Sequence, residues 1–300
     1  MAVYISGNII DSTQSNHLRH YIHSRLKMAS QAQGTNAQIP TINIDKVKLA
    51  YVKKLKLGSR LKEVNFTGIC QLPDKTVVLS SCDMANNQGK LYSIESDGTT
   101  LSSKCEKAPF GITFFNEELL VSCPKTQEIG MVDIDDLEMY ETFAKGYEFR
   151  GVSTNGTDIV SISKGKGISF MNKSGYIYKE FPLKSTNGKS FIHFDKEYIY
   201  YTDKQGPWIK CMNTIGKRVW LCELIDEVPY GVCTDMYGNV FVADRENGDI
   251  LIVAADGSKY RSQSVDEVDE PTALCFDKEN CQLIVADKSR SPCIYQVIYR

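Results

Sequence analysis

Five cations stand at matching places along this chain. Lys125, Lys164, Lys204, Arg245 and Lys288 each directly follow a short apolar run, in five of six comparable segments, although Lys and Arg make up only 35 of 300 residues. Just ahead of the paired upstream runs stand Phe66, Phe110, Phe149, Arg150 and Tyr230. Ammonium and guanidinium groups hold phosphates and aromatic rings stack on bases, a combination that binds single-stranded RNA. The competing reading is plainer. An exposed turn tolerates lysine, the aspartate before several of these cations caps the turn through nearby backbone N–H groups, and the rings pack between segments. The acidic run Asp266-Glu267-Val268-Asp269-Glu270 also opposes phosphate.

Other chemistry finds little support. The ten cysteines include no CxxC pair, so zinc-type spacing is absent. Cys70, Cys233 and Cys275 recur at one place in their segments, as small buried hydrophobes do. His17, His20 and His23 are evenly spaced, but on a helix the first and third lie well apart around the axis and cannot share an ion. There is no Gly-x-Ser-x-Gly elbow and no phosphate-binding glycine loop. The residues thus predict no catalytic set, no metal and no cofactor.

What positions the cations is a repeat. Thr67-Gly68-Ile69-Cys70, Phe110-Gly111-Ile112-Thr113, Arg150-Gly151-Val152-Ser153, Ser190-Phe191-Ile192-His193, Tyr230-Gly231-Val232-Cys233 and Thr272-Ala273-Leu274-Cys275 begin six alike units, with second positions 43, 40, 40, 40 and 42 residues apart. A period of roughly 40–45 residues with strand-like content is the mark of a β-propeller, whose units bury their apolar faces only by stacking. Each unit carries a second β-branched or aromatic run, such as Val77-Val78-Leu79 or Val240-Phe241-Val242, and a third, such as Ile250-Leu251-Ile252-Val253. A more polar fourth follows in several, as at Tyr176–Glu180. Four strands make a blade. In such a fold the loop leading into each first strand and the loop between second and third strands share one face, where sequence varies freely.

The sixth unit has only three strands before Arg300, while residues 46–57 form a strand without a blade. Pairing the two closes the ring and removes two sheet edges. The expected architecture is therefore all-β: a six-bladed propeller over residues 45–300, sealed by its first strand. Residues 1–44 are expected to hold a short helix over Ser15–Ala29, with Leu18, Ile22 and Leu26 on one side, and a linker through Asn36. No apolar run approaches the ~20 residues that span a bilayer, and the start lacks a secretion signal. The pI near 6.1 excludes coating nucleic acid by bulk charge but leaves room for a local basic face. With no disulfide framework in view, reduced thiols and a cytoplasmic setting are expected.

The stretch Pro229-Tyr230-Gly231-Val232-Cys233-Thr234-Asp235 through Gly238-Asn239-Val240-Phe241-Val242-Ala243-Asp244 to Ile250 resembles an NHL repeat, and Pro271 through Gln282-Leu283-Ile284-Val285-Ala286-Asp287 is similar to a second. The other units are degenerate. No unit ends in Trp-Asp, against WD40, and no Gly-Gly doublets recur, against kelch. NHL propellers are best known from tripartite-motif ubiquitin ligases, where they recognise protein partners and in several members single-stranded RNA. The resemblance implies a non-catalytic platform for protein partners in the ubiquitin pathway, with RNA as the alternative ligand of the same face. It carries over no ligase activity, since the first 69 residues contain no cysteine to build a RING or B-box. Related propellers also include metal-dependent lactonases and a zinc lyase. A lyase-type centre wants several imidazoles, and the propeller region holds one histidine, His193, whereas the plentiful acidic loops leave a lactonase-type calcium site of Asp, Glu and Asn open as a third, enzymatic reading.

Overall fold

A computed structural model describes residues 42–57, 64–183, 190–203, 206–288 and 291–299. The N-terminal helix and linker expected above, with their three histidines, lie outside these residues. So does Lys204. Among the described residues no helix is long and apolar enough to cross a membrane.

Twenty-four described strands form six four-stranded antiparallel sheets. Five blades take their strands in chain order, spanning residues 66–105, 112–145, 149–182, 190–223 and 229–264. Blade 6 joins Ala273–Asp277, Gln282–Ala286 and Cys293–Ile298 to the early strand Lys48–Lys54. The register runs from Lys48 opposite Ile298 to Lys54 opposite Cys293, with a bulge between Tyr51 and Lys53. This is the predicted closure. Blade 5 reinforces it from the side: Arg261 Nε donates to Ile44 O at 2.7 Å and Gln263 Nε2 to Leu49 O at 3.2 Å. Ile44 and Val47 are wholly buried.

The structure explains the repeated glycine. Inner strands of successive blades crowd together at that position, so a Cβ on Gly68 would lie 2.7 Å from Phe110 O, one on Gly111 2.8 Å from Arg150 O, and one on Gly231 2.8 Å from Thr272 O. These contacts are to backbone, which cannot swing aside as a side chain can. Gly231 N–H even bonds to Thr272 O at 3.0 Å. Blade 4 departs from the pattern with Phe191, and its ring goes to the axis of the channel, as described next.

Candidate functional site

The second strand of each blade ends at the loop face and the third begins there, so the intervening turn residues collect on that face. In blade 3 the turn is docked by Lys164 N–H donating to Glu148 O at 3.2 Å, and in blade 5 Arg245 N–H reaches Val228 O at 3.4 Å. The aspartates beside them divide by role. Asp83 Oδ1 caps its own turn, accepting from Ala85 N at 3.0 Å and Asn86 N at 3.2 Å. Asp244 and Asp287 instead accept from the lead-in loops, from Val228 N at 3.1 Å and Asp269 N at 2.9 Å.

The described cations fall into two sectors. Lys125, Arg150 and Lys164 line one cavity of about 490 Å³ between blades 1 and 3, together with Met84, Gln127 and Glu148. Arg150 lies beneath the surface, only 6% exposed. One end of its guanidinium pairs with Glu148, another approaches Met84 Sδ at 3.9 Å, and its plane sits 5.5 Å from the Phe110 ring centre. Its Nε has no hydrogen-bond partner. Lys164 Nζ stands 3.7 Å from the same Glu148, so one carboxylate meets two of the three cations that line the cavity.

Arg245 and Lys288 form the second sector, and it is neutralised. Arg245 donates to Glu270 Oε2 from Nε at 2.9 Å and Nη2 at 2.7 Å, and Lys288 Nζ lies 3.3 Å from the other oxygen. These bonds hold the Glu270 carboxyl below its ordinary range. Beside them, burial and a hydrogen bond shared with Asp244 lift Glu227 to about 7. The acidic run that the sequence set against phosphate thus acts on only one half of the face.

The aromatic residues face inward. Phe66 and Phe149 are fully buried, and Phe110 and Tyr230 are 4% exposed. None of the four offers a free ring to a base. Phe66 packs edge-on to Tyr92 within blade 1. Phe110 and Tyr230 meet the ring of Phe191, each with centroids 5.5 Å away, so three blades place their rings together at the loop end of the channel. Arg150 covers Phe110, and Arg245 covers Tyr230 at 5.3 Å.

Below the rings a channel cavity of about 410 Å³ follows the inner strands to a rim at Lys75, Asp277, Lys278 and Glu279. Cys70, Cys233 and Cys275 line its wall. His193 lies there too, its Nε2 2.9 Å from Thr234 Oγ1, which donates to Asp195 Oδ2 at 3.1 Å. Because the hydroxyl spends its proton on Asp195, it accepts from the imidazole, which fixes the Nε2–H tautomer. Burial lowers His193 to about 4 despite the nearby Asp195, so the ring is neutral. Lys278 Nζ completes the chain, 2.8 Å from Asp195 Oδ1. No group of three or more His, Cys, Asp or Glu among the described residues is arranged to hold a metal.

Sequence reasoning found the cations but missed Glu148, Met84 and Gln127. Glu148 had a usable signal: it stands two residues before Arg150, and strand alternation puts such residues on one side. Glu270 was visible in the acidic run, but its pairing with Arg245, 25 residues away, was not.

No family model matches this chain, and no curated protein does. Solved structures do match. A catalytically inactive virginiamycin B lyase from Staphylococcus aureus, solved with quinupristin, aligns over 84% of this chain and 100% of its own, at 14% identity and a TM-score of 0.58. A protein of unknown function from Bacteroides thetaiotaomicron aligns over 84% of this chain and 76% of its own, at 13% identity and a TM-score of 0.66. The computationally designed Ika8 protein shares 12% identity over 77% of this chain and 70% of its own, with a TM-score of 0.51. At such identities the shared property is the fold, and the chain is a six-bladed β-propeller.

Proposed function

We propose that this propeller is a non-catalytic platform that recognises protein partners on its loop face, seating acidic side chains in the sector formed by blades 1 to 3. One observation carries the reading: Lys125, Arg150 and Lys164 line a single cavity that, among the described residues, one carboxylate enters, that of Glu148. Complementary charge steers encounter and fixes register more than it supplies raw affinity, which suits a recognition surface. The NHL-like stretches at Pro229–Ile250 and Pro271–Asp287 support the same role, since NHL propellers of tripartite-motif ligases recognise protein partners. RNA is the weaker reading of the same face. Its phosphates fit the cations, but the four rings assigned to stacking are buried.

The test uses the full chain, a fluorescent peptide rich in Asp and Glu, and a single-stranded uridine oligonucleotide, at ~0.1 M salt where charges within ~10 Å still act. The peptide should bind more tightly than the oligonucleotide. Reversing two charges with Lys125→Glu and Lys164→Glu together should weaken the peptide at least ~10-fold, taking about 1 kcal/mol for each surface charge. Unchanged peptide affinity in that variant overturns the proposal, and preferential capture of the oligonucleotide moves the face to RNA.

A further inference from the structure

Two cysteines at the junction of blades 1 and 2 stand apart from the other thiols. Cys105 ends the outer strand of blade 1, opposite Gly89. Cys123 ends the second strand of blade 2, opposite Glu128. Lys107, two residues past Cys105, bonds Glu128, the residue opposite Cys123, at 2.8 Å, which brings the two cysteines together across the blade interface. Cys105 opens into a separate cavity of about 220 Å³ lined also by Lys104, Lys107 and Leu137, whereas Cys123 is wholly buried behind it. The arrangement puts one reachable sulfur in front of one shielded sulfur.

The surroundings sort the two chemically. The Cys123 thiol and the Lys107 backbone N–H donate to Cys105, and the Lys107 ammonium lies nearby, so Cys105 is held below the ordinary thiol range. That ammonium is itself anchored on Glu128 at 2.8 Å. Cys123 is pushed upward by its donation to Cys105 and by burial. Burial alone drives Cys70 and Cys211 up to about 12. The thiolate is the reacting form, which singles out Cys105.

We propose that Cys105 and Cys123 form a peroxide-reactive pair that closes into a disulfide between blades 1 and 2. The Cys105 sulfur attacks one oxygen of a hydroperoxide, the O–O bond breaks, and hydroxide or alkoxide leaves, giving a sulfenic acid. The Cys123 thiol loses its proton and its sulfur attacks that of Cys105. The S–S bond forms, the S–O bond breaks, and water leaves. The two thiols give up two electrons, and the peroxide accepts them. Small thiols reverse the bond by exchange. The closed pair would brace the strand that ends two residues before Lys125, a wall of the basic cavity. The proposal stands independently of what that cavity binds.

The experiment treats the full chain with hydrogen peroxide, blocks free thiols with N-ethylmaleimide and maps the digest by mass spectrometry. The expected product joins the peptides of Cys105 and Cys123, two hydrogens lighter than their sum, and dithiothreitol reverses it. Cys123→Ser keeps the first step and removes the second, so Cys105 should then accumulate as an adduct of dimedone. Cys105→Ser should yield neither product. The proposal is overturned if native Cys105 remains unmodified, if it collects dimedone with Cys123 present, or if another cysteine pair closes first.

Discussion

Replacing Glu148 by glutamine should tighten binding of an acidic ligand while loosening the fold, and the two effects can be sized separately. Glu148 is the carboxylate of the basic cavity, paired with Arg150 and 3.7 Å from Lys164. A ligand carboxylate seated ~5 Å from it meets a repulsion between about 1 kcal/mol in a water-like medium and about 3 kcal/mol at an effective dielectric constant of ~20. Its side chain is 29% exposed, so the lower figure applies, or about a 5-fold gain in affinity when the charge is removed. The fold pays differently. Arg150 is nearly buried, but a glutamine oxygen still accepts from its guanidinium, so the loss is about 1–2 kcal/mol, or a few degrees in Tm. Peptide anisotropy and thermal melting of Glu148→Gln measure both, and the affinity gain should shrink as salt rises. A folded variant that binds the peptide equally or less well refutes the reasoning about this carboxylate.

Three further outcomes test the frame. Gly111→Ala puts a Cβ 2.8 Å from Arg150 O and 2.9 Å from Val152 N of the next blade, so thermal melting should show a loss of about 1–3 kcal/mol; an unshifted melt would mean the blades are not in register there. Deleting residues 46–57 removes the outer strand of blade 6 and bares the edge of Cys293–Ile298, so the whole ring should melt earlier and aggregate more readily, whereas a melt like that of the full chain contradicts the closure. His193 is held neutral in the fold, with its pKa lowered from 6.5 to about 4. It therefore adds stability above pH 6.5 that is lost as pH falls toward 4, up to about 3 kcal/mol before screening by channel water. His193→Gln should flatten that limb of a stability-against-pH profile, and an unaltered slope refutes the assignment.

The ring was legible because its cause is written in single residues. Gly68, Gly111, Gly151 and Gly231 recur where neighbouring backbones leave no room for a side chain, and strand counting alone exposed the orphan that seals blade 6. The cations were legible because turn residues must surface. What their charges meet was not. Glu270 takes Arg245 and Lys288 across loops 25 and 18 residues away, and linear order holds no trace of that pairing. Packing of Phe110 and Tyr230 between blades was one of the two readings the sequence offered, but their meeting with Phe191 was hidden, because it depends on three blades converging on one axis. The Cys105–Cys123 contact likewise crosses between blades, so spacing could not announce it.

The tilted rings of Phe110, Phe191 and Tyr230 stand at the loop end of the axial passage, between the two faces of the toroid. From the opposite rim, a small guest would pass Lys75 and Lys278, then the thiols of Cys70, Cys233 and Cys275 and the imidazole of His193, before meeting the ring of Phe191. The basic cavity and the channel mouth lie on opposite sides of the toroid, so a partner resting on one broad side leaves the other free.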